Sequence, residues 1–454
     1  MRISVIGTGY LGATHAAGMA ELGFDVVGVD HDPEKVAALA EGRLPFHEPG
    51  LPELLRRHVE TGRLRFTTSL REAAEIADVH FICVGTPQGP GGAADVSHVH
   101  ASVEALVPLL RRPSLVVGKS TVPVGTAEAL ARGIEELSPL GVEVGLAWNP
   151  EFLREGYAVH DTLHPNRIVL GTCDPAAERT LREVYASPIA AGTPVVVTDR
   201  PTAELVKVSA NAFLATKISF INAMAELCEA TGADVTLLSE ALGHDERIGR
   251  RFLSSGLGFG GGCLPKDIRA LVARADELGR SESVDFLRSV DQVNLRRRDR
   301  VVEMAAGLVG SFQGVRIAVL GAAFKPDSDD VRDSPALDVA CRLQEAGAYV
   351  TVYDPAANLT ARAVAPRLRY AANASTACRK ADLVLHLTEW DEFRQLDPEA
   401  LGHVVRRKVV VDARNALDVA SWQAAGWVVQ APGRHISLPA AVPEGLSEVD
   451  SLRR

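Results

Sequence analysis

Short apolar runs alternate with helical patterns along the first part of the chain. Residues 3–6 form an apolar run, a helical pattern continues to Leu22, and a second apolar run at 26–29 ends at Asp30. Further strand-sized runs lie at 77–84, 114–118 and 142–148. Strands that alternate with helices are typical of a parallel α/β sheet. The pattern predicts a doubly wound, Rossmann-like α/β domain over residues 1–198.

A much longer helical pattern begins at Asp199, which can cap a helix, and ends before Gly232. About 30 helical residues make a rod of roughly 45 Å. Its apolar residues lie on more than one face, and a second helical stretch follows at about 284–308. The pattern therefore predicts a central helical domain, residues 199–312, that joins its neighbours and provides a dimer interface.

The opening pattern returns in the last third of the chain, where apolar runs end at Gly321 and Asp354. These two residues are 33 positions apart, whereas Gly7 and Asp30 are 23 apart. The longer interval is polar and lacks the glycine spacing of the first half. We expect a second Rossmann-like domain over residues 313–454 that binds a different nucleotide. Its last stretch is predicted to be an irregular tail, 431–454.

Composition narrows the class of protein. The 454 residues are 46% hydrophobic and 23% charged, as in soluble globular proteins. With 48 basic and 58 acidic side chains the net charge is −10, which argues against a nucleic-acid partner. No apolar stretch is long enough for a membrane span, and the chain opens on a strand, so we expect no targeting leader. The six cysteines form no C-x-x-C pair and are too few for a disulfide scaffold, which predicts a reducing, cytoplasmic location.

A glycine-rich turn connects the first predicted strand to the first helix. Its G-x-G-x-x-G spacing lets the backbone approach a pyrophosphate, and the helix N-terminus favours the negative charge. Asp30, at the end of the next strand, can bind a ribose diol and would repel a 2′-phosphate, so NAD is favoured over NADP. A lone glycine turn can also serve packing alone, but the flanking strands and the acid favour cofactor binding. The predicted loop is Gly7, Thr8, Gly9, Tyr10, Leu11 and Gly12.

Polar residues also follow later predicted strands. Thr86, Ser120 and Thr121 lie beyond strand ends, where ligands of doubly wound sheets bind, although such residues are also common in turns. Two carboxylates, Glu151 and Glu155, follow another apolar run, and either could accept a proton. Taken alone, the segment that contains Glu151 and Glu155 would be interpreted as a solvated acidic loop.

The strongest local signal is the segment 256–267. Five glycines precede Cys263 within eight residues, and Lys266 and Asp267 follow it within four. A nearby cation or a helix N-terminus favours the thiolate, which is the nucleophilic form of cysteine. The other cysteines lie in apolar patterns and are predicted to be packing residues: Cys83, Cys173, Cys228, Cys341 and Cys378.

Lys207 and Asn211 are four residues apart on the long helix and share one face. Facing inward, they could bind a substrate hydroxyl or stabilise an oxyanion. Their apolar neighbours favour a buried helix. By contrast, an aspartate interrupts the basic run 296–300, which we interpret as a solvated helix face. His160 and His164 share an i, i+4 relation but lack a third ligand, so no metal site is predicted.

Taken together, these motifs resemble the UDP-glucose/GDP-mannose dehydrogenase family. The segments that carry the resemblance follow in consistent order over almost the whole chain: 7–12, 119–126, 149–156, 207–211, 258–267 and 324–332. The segments 151–156 and 247–249 are most similar to members that oxidise UDP-glucose. The resemblance implies a four-electron oxidation of UDP-glucose at C6 to UDP-glucuronate, with two NAD consumed per turnover.

The resemblance also implies a role for each candidate catalytic residue. Cys263 would attack a C6 aldehyde, and the thiohemiacetal would lose a second hydride to give a thioester that water hydrolyses. Lys207 and Asn211 would stabilise the oxyanions. Asp267 would assist water or proton transfer, and Glu151 would act as an acid or base, directly or through water.

Binding residues are implied in the same way. Implied NAD contacts beyond the glycine loop are Asp30, Lys35, Thr86, Ser120, Thr121, Glu155, Lys266 and Arg332. Implied UDP-sugar contacts are Phe152, Leu153, Arg154, Glu155, Lys207, Asn211, Ser254, Ser255, Gly256, Gly258, Phe259, Gly260, Lys325 and Arg414. Arg247 is expected to reach the diphosphate bound by the neighbouring subunit of a homodimer. The chain departs from the family pattern at Gly262, where Ser is frequent, and Arg414 is matched by a short motif alone.

Two other functions stay open. The first is the same chemistry on GDP-mannose or a UDP-N-acetylhexosamine, which would need the same catalytic groups. This hypothesis stays open because recognition of the base depends on loops. The second is that of a non-catalytic nucleotide-binding regulator. The joint presence of Cys263, Lys207, Asn211 and Asp267 argues against a regulator.

Overall fold

The structure is a computed structural model that describes residues 1–436. Residues 437–454, which hold most of the predicted irregular tail, lie outside the described residues. The chain divides into two compact units. Unit 1 consists of Met1–Asn211 and Lys266–Ser283, and unit 2 consists of Ala212–Pro265 and the chain from Val284 onward. The boundaries expected for three domains stay a prediction.

Unit 1 contains an eight-stranded sheet. Its strands are β1 (Arg2–Ile6), β2 (Asp25–Val29), β3 (Leu64–Thr67), β4 (Val79–Ile82), β5 (Ser114–Gly118), β6 (Val144–Trp148), β7 (Ile168–Gly171) and β8 (Val195–Thr198). Their spatial order is β3-β2-β1-β4-β5-β6-β7-β8, and neighbours are parallel except β6 and β7. The first six strands have the order of a Rossmann domain, so the carboxyl ends of β1, β2, β4, β5 and β6 meet at one edge.

Helices cover this sheet, and its central strands are apolar throughout because they are buried on both faces. Ile3, Phe81 and Val117 are fully buried. Two of the helices begin where Asp32 and Asp174 accept hydrogen bonds from the first turn. The helices are α1 (Tyr10–Glu21), α2 (Pro33–Ala40), α3 (Leu51–Glu60), α4 (Leu70–Ile76), α5 (Ser97–Leu106), α6 (Thr126–Leu137), α7 (Ala158–Leu163), α8 (Pro175–Val184) and α9 (Ala186–Ala190).

The predicted long helix is α10 (Arg200–Thr231), with 32 residues. Asp199 accepts a 2.7 Å hydrogen bond from the backbone N–H of Thr202, and Gly232 follows the helix with φ +76°. Both ends therefore lie where the capping residues predict them. The next helices are α11 (Val235–Gly243), α12 (Leu264–Glu277), α13 (Ser281–Val284) and α14 (Phe286–Val309). None of the helices described is long and apolar enough to cross a membrane.

Unit 2 contains a six-stranded parallel sheet in the order β11-β10-β9-β12-β13-β14. The strands are β9 (Arg316–Leu320), β10 (Tyr349–Tyr353), β11 (Arg369–Tyr370), β12 (Leu383–His386), β13 (Val409–Asp412) and β14 (Val428–Gln430). The helices are α15 (Pro335–Glu345), α16 (Asn358–Val364), α17 (Ala374–Cys378), α18 (Asp391–Arg394), α19 (Pro398–Gly402) and α20 (Val419–Ala424). The order repeats that of the first six strands in unit 1. The predicted α/β class, with two doubly wound Rossmann-like sheets and a long helix, is confirmed.

Asp354 is a buried polar support of the second sheet. It follows β10 and is almost fully buried. Its Oδ2 accepts hydrogen bonds from the backbone N–H groups of Ala322 and Ala323 at 2.7 and 2.9 Å. Its Oδ1 accepts from Ala356 and Ala357 at 3.0 and 2.8 Å. One carboxylate therefore satisfies the loops that follow two neighbouring strands.

Replacing Asp354 with Ala should lower the free energy of unfolding of unit 2 by about 3 kcal/mol or more, because buried N–H groups lose their acceptor. Urea unfolding followed by tryptophan fluorescence measures the loss, since Trp422 and Trp427 are buried in this unit. Asp391→Ala is the control, because the Asp391 side chain is 84% exposed and pairs with Arg394 at the surface. The control should change stability by less than about 0.5 kcal/mol, and equal losses in both variants would contradict the role of Asp354.

Candidate active site

The glycine turn after β1 has the geometry that a pyrophosphate requires. Gly7 has φ +88°, which favours glycine. A Cβ on Gly12 would lie 1.7 Å from the carbonyl oxygen of Gly7, so glycine is needed for α1 to pack against the turn. A Cβ on Gly9 would meet no atom within 4 Å, which leaves open space beside the N-terminus of α1. The predicted glycine loop can therefore receive a diphosphate at a helix N-terminus.

Asp30 lies at the carboxyl end of β2 and is 6% exposed. Its Oδ2 accepts hydrogen bonds from the backbone N–H of Thr8 at 2.9 Å and from Lys35 Nζ at 3.0 Å. Burial acts to raise the pKa of Asp30, but the bonds from Lys35, Thr8 and Asp32 outweigh it and lower that pKa. The group stays a carboxylate, as an acceptor for ribose hydroxyls must be.

Three of the other predicted cofactor residues lie together beyond β4 and β5. The Thr86 hydroxyl donates to the carbonyl of Thr121 at 2.8 Å, and Lys266 Nζ lies 3.5 Å from the same hydroxyl. The hydroxyl of Ser120 instead donates to the carbonyl of Val84 at 2.7 Å. Ser120 therefore braces two strand ends, whereas Thr86, Thr121 and Lys266 form one group.

Four of the five predicted catalytic residues form two hydrogen-bonded pairs in unit 1. Lys207 Nζ lies 2.9 Å from Glu151 Oε1, and their side chains are 6% and 12% exposed. Asn211 Nδ2 donates to Asp267 Oδ2 at 2.6 Å, and Lys266 Nζ lies 2.7 Å from Asp267 Oδ1. The predicted burial of this face of α10 is confirmed. Buried carboxylates beside an ammonium and an amide can move protons and stabilise an oxyanion.

The segment after β6 is held by its own side chains. Glu151 Oε2 accepts the backbone N–H of Leu153 at 2.5 Å. The ring of Phe152 has the guanidinium of Arg167 3.6 Å from its centroid. Arg154 donates to Asp161 from Nε and Nη2 at 2.8 and 2.7 Å. The predicted substrate residues 152–154 therefore belong to a folded loop with internal ion pairing.

Glu48 contributes to this site although no sequence motif marks it. It is 1% exposed and accepts the hydroxyl of Tyr10 in a short hydrogen bond. It also accepts the backbone N–H groups of Gly156 and Ala158 at 2.6 and 2.7 Å. Burial, followed by the Glu48 carboxylate, raises the pKa of Tyr10, which stays a neutral donor. Glu48 thus links the cofactor loop to the end of the 149–156 segment.

The glycine loop before Cys263 lies in unit 2 and packs too closely for side chains. Gly258 and Gly261 have φ +94° and +85°. A Cβ on Gly260 would lie 2.3 Å from the carbonyl oxygen of Asp333. The amide of Asn294 accepts the N–H of Phe259 at 2.8 Å and donates to the same residue's carbonyl at 2.9 Å. Asn294, which the sequence analysis did not select, fixes the loop.

Cys263 is exposed and immediately precedes α12. The preceding Gly262 has a structural reason for lacking a side chain. A Cβ there would lie 2.4 Å from Cζ of Arg332, and the N–H of Gly261 donates to the Arg332 carbonyl at 2.9 Å. The departure from Ser therefore makes room for the guanidinium of Arg332, which is paired with Asp330 at 2.6 Å.

The remaining predicted sugar-nucleotide residues of unit 2 differ in their surroundings. Arg414 donates from Nη1 to Gly258 and from Nε to Leu387 at 2.8 and 2.7 Å, which places it beside the glycine loop. Ser255 is buried, whereas Ser254 is exposed. The other two are the half-buried Lys325, with Nζ 5.5 Å from the centroid of Phe324, and the exposed Arg247, paired with Asp245 at 2.6 Å.

Two expectations from the sequence are wrong. The basic run on α14 is not a solvated face, since Arg297 is fully buried and Arg298 is 6% exposed. Arg297 Nε donates to the carbonyl of Gly256 at 3.1 Å, and Arg298 pairs with Asp333 at 2.7 Å. Cys173 is exposed rather than a packing residue, because it follows the end of β7. Cys83, Cys228 and Cys378 are buried as expected, and Cys341 is half-buried.

The glycine loop at 7–12, Asp30 and the buried Lys207–Glu151 and Asn211–Asp267 pairs are compatible with a nicotinamide-dependent oxidoreductase. The chain belongs to the UDP-glucose/GDP-mannose dehydrogenase family, whose NAD binding domain, central domain and UDP binding domain match residues 1–189, 201–296 and 318–419. The predicted family and the NAD cofactor are confirmed. The expectation that the second sheet takes a different nucleotide agrees with the UDP binding domain.

Relatives match over nearly the full length. The UDP-glucose 6-dehydrogenase of Rhizobium meliloti is 44% identical over 91% of this chain and 95% of its own. That of Pseudomonas aeruginosa is 42% identical over 96% and 98%. A solved UDP-glucose dehydrogenase from Pyrobaculum islandicum has a TM-score of 0.87 at 40% identity, over 96% and 98% of the two chains. A UDP-D-ManNAc dehydrogenase from Pyrococcus horikoshii has a TM-score of 0.82 at 28% identity, over 96% and 99%.

Replacing Asp30 with Ser should weaken NAD binding by about tenfold and reduce the preference for NAD over NADP, because a ribose acceptor and a repulsive charge are both lost. Titration of NADH and NADPH by fluorescence measures the two affinities. Asp25→Ser is the matched control, since Asp25 is the exposed first residue of the same strand. An unchanged ratio of affinities in Asp30→Ser would contradict the assignment.

Proposed function

We propose that the protein oxidises UDP-glucose at C6 to UDP-glucuronate in two NAD-dependent steps. The observation that carries the proposal is the buried arrangement in which Lys207 pairs with Glu151 and Asn211 bonds to Asp267. Relatives named UDP-glucose 6-dehydrogenase, at 44% and 42% identity over most of both chains, support UDP-glucose as the substrate. The more distant UDP-D-ManNAc dehydrogenase supports the same chemistry less specifically.

The proposed mechanism gives Glu151, Lys207 and Asn211 separate roles in the first oxidation. In the first step the C6 hydroxyl loses a proton toward Glu151, directly or through water, and its carbon loses a hydride. NAD, when bound, accepts the hydride at each oxidation. Lys207 and Asn211 can stabilise the negative charge on the C6 oxygen, because an ammonium and an amide N–H₂ are both donors.

Cys263 makes the second oxidation possible. Its thiolate adds to the C6 aldehyde, and the thiohemiacetal carbon loses the second hydride to give a thioester. Water then adds to the thioester, the carbon–sulfur bond breaks, and the carboxylate and the thiol are released. Asp267 can take the proton of the attacking water, since it lies four residues after Cys263 in α12.

Ligand binding is proposed for both units. The proposed NAD contacts are the glycine loop at 7–12 and the side chains of Asp30, Lys35, Thr86, Ser120, Thr121, Glu155, Lys266 and Arg332. The UDP-sugar contacts are residues 152–155, Lys207, Asn211, Ser254, Ser255, Gly256, Gly258, Phe259, Gly260, Lys325 and Arg414. The strongest support for Arg414 is its hydrogen bond to the Gly258 carbonyl. We propose a cytoplasmic location, which the six sparse cysteines support.

A stoichiometric assay tests the substrate. Purified protein with NAD is given UDP-glucose, GDP-mannose and UDP-N-acetylmannosamine in separate reactions, and NADH is followed by absorbance. UDP-glucose should give two NADH per sugar consumed and the highest kcat/KM. A higher kcat/KM with another sugar would overturn the substrate, and no NADH with any of them would overturn the enzymatic function.

Replacing Cys263 with Ser should reduce overall turnover by at least about a thousandfold while leaving NADH binding unchanged, because an oxygen ester cannot be formed and hydrolysed as readily as a thioester. Cys173→Ser is the control, since Cys173 is also an exposed cysteine. It should keep wild-type turnover. Full activity of Cys263→Ser would refute a covalent intermediate.

We also propose that the enzyme is a homodimer. On α10 the side chains of Phe213, Phe220 and Leu227 recur every seven residues and are 67%, 49% and 57% exposed. Apolar residues at this spacing form one stripe, and such a stripe on a helix is typical of a subunit interface. Arg247 is exposed and available to the neighbouring subunit, where it is expected to bind the diphosphate.

Mixing two inactive variants tests the crossing of Arg247. Arg247→Ala and Cys263→Ala should each be strongly impaired, but a heterodimer combines the intact Cys263 of one subunit with the intact Arg247 of its partner. Refolding an equal mixture should restore about a quarter of wild-type activity if subunits exchange at random. No restoration in mixtures that form heterodimers would show that Arg247 acts within its own subunit.

A further inference from the structure

Lys119 is a buried cation that the proposed chemistry does not use. It directly follows β5 and is 7% exposed. Its Nζ donates to Asn149 Oδ1 at 2.9 Å and to the hydroxyl of Tyr185 at 3.3 Å. The Tyr185 hydroxyl in turn donates to Asn149 Oδ1 at 2.6 Å. Lysine, tyrosine and asparagine thus form a closed triangle that converges on one amide oxygen.

The triangle fixes the residue from which the Glu151 segment starts. Asn149 also donates from Nδ2 to the carbonyl of Val169 at 2.9 Å, and its own N–H donates to Gly118 at 2.8 Å. Pro150 stands between Asn149 and Glu151, and its ring restricts the backbone. A shift of Asn149 is therefore passed on to Glu151, whose carboxylate pairs with Lys207.

A cavity joins the triangle to Glu151. It has a volume of about 50 Å³ and is lined by side chains that include Lys119, Asn149, Glu151, Tyr185 and His15. His15 is 2% exposed, and its Nε2 has no hydrogen-bond partner within residues 1–436. Several polar side chains line this cavity, and its size leaves room for ordered water, which would give His15 and the ammonium a further partner.

Stability does not explain a lysine at this position. Burial lowers the pKa of Lys119 to about 8, which means that the charged form of this side chain costs free energy in the folded protein. Three groups near Lys119 are neutral, because burial raises the pKa of Cys83 to about 12, raises that of Tyr185 and lowers that of His15. Glu151 is the anion that acts on the Lys119 ammonium. Lys207 is a cation that also acts on Lys119, and the charged side chains of Asp161 and Arg167 line the same cavity. An apolar side chain of similar length would cost less free energy at such a site.

We propose that Lys119 is a positioning residue: through Asn149 and Tyr185, and through water in the cavity, its ammonium holds Glu151 in place for proton transfer. The proposal rests on the acid/base role of Glu151 in the proposed oxidation. Lys119 itself contacts neither substrate nor cofactor in this assignment. Its function is to keep the Glu151 carboxylate at a fixed distance from the reacting C6 group.

Lys119→Met tests the proposal, because it keeps the length of the side chain and removes the charge. We expect kcat to fall by about 10- to 100-fold, while the KM for UDP-glucose and the affinity for NADH change by less than about threefold. The melting temperature at pH 7 should stay the same or rise. Lys408→Met is the control, since Lys408 is a half-buried lysine of unit 2 that donates to the Ala425 carbonyl, and it should keep wild-type kcat.

The pH dependence of stability identifies the buried ammonium. Because the folded pKa of Lys119, about 8, lies below the ordinary lysine value of 10.5, the unfolded chain binds more protons between these limits. The melting temperature of the wild type relative to Lys119→Met should therefore rise as pH increases from 8 to 10.5. The same relative melting temperature at every pH would overturn the assignment of a buried charge.

A kcat of Lys119→Met within twofold of the wild type would overturn the positioning role. So would a loss of kcat that is matched by a comparable loss of stability, because packing alone would explain it. If Lys119→Met does not fold, Tyr185→Phe takes its place: a kcat loss of about threefold or more supports the proposal, and full kcat overturns it. If the wild type oxidises no nucleotide sugar, the proposed function fails first. Crystal structures of the wild type and Lys119→Met then decide positioning, by whether Glu151 moves.

Discussion

Backbone N–H groups beyond the ends of parallel strands must find acceptors once the loops that contain them are buried. This protein meets that constraint with buried carboxylates. Asp30 accepts from Thr8, Glu48 from Gly156 and Ala158, Glu204 from Gly125 and Ala127, and Asp354 from Ala322 and Ala323. Each carboxylate ties together segments that are distant in sequence. The loops at these strand ends are consequently held by hydrogen bonds within the protein, and the candidate catalytic side chains are attached to a framework of this kind.

The two Rossmann-like sheets use this device differently. Asp30 and Asp354 occupy equivalent strand ends, and both oxygens of each carboxylate accept hydrogen bonds from protein groups. Two of the donors to Asp30 are side chains, those of Thr8 and Lys35, whereas Asp354 accepts from four backbone N–H groups and from the ring N–H of Trp390. Asp354 therefore has little capacity left for a ribose. The turn after β9 also has Ala323 and Pro326 two and five residues after Gly321, where the first turn has Gly9 and Gly12 after Gly7, so it lacks the glycine spacing of a dinucleotide site. The second sheet keeps the strand order and loses the dinucleotide site.

Periodic elements could be predicted from the sequence, and long-range polar partners could not. The run at 114–118 is a strand with those bounds, and α10 begins and ends at its capping residues. The run at 77–84 is a shorter strand because the N–H of Ala77 bonds back to Ala73 at the end of α4. Glu48 lies 108 residues from Gly156, and no local pattern marks it. The prediction that Arg297 is exposed to solvent is wrong for the same reason. It was based on the charge of the side chain, whereas the hydrogen-bond partner is the carbonyl of Gly256, 41 residues away.

The discontinuity of unit 1 has a consequence for how the chain matures on the ribosome. Residues 266–283 belong to unit 1, yet they are synthesised after residues 212–265, which belong to unit 2. Unit 1 therefore cannot complete its fold when residue 211 leaves the exit tunnel, although its whole sheet has already been made. Asp267 and Lys266 reach their partners Asn211 and Thr86 only after a stretch of the other unit has been produced. Unit 1 is thus complete only after part of unit 2 has been synthesised, and the segment that contains Lys266 and Asp267 is the last part of unit 1 to be produced.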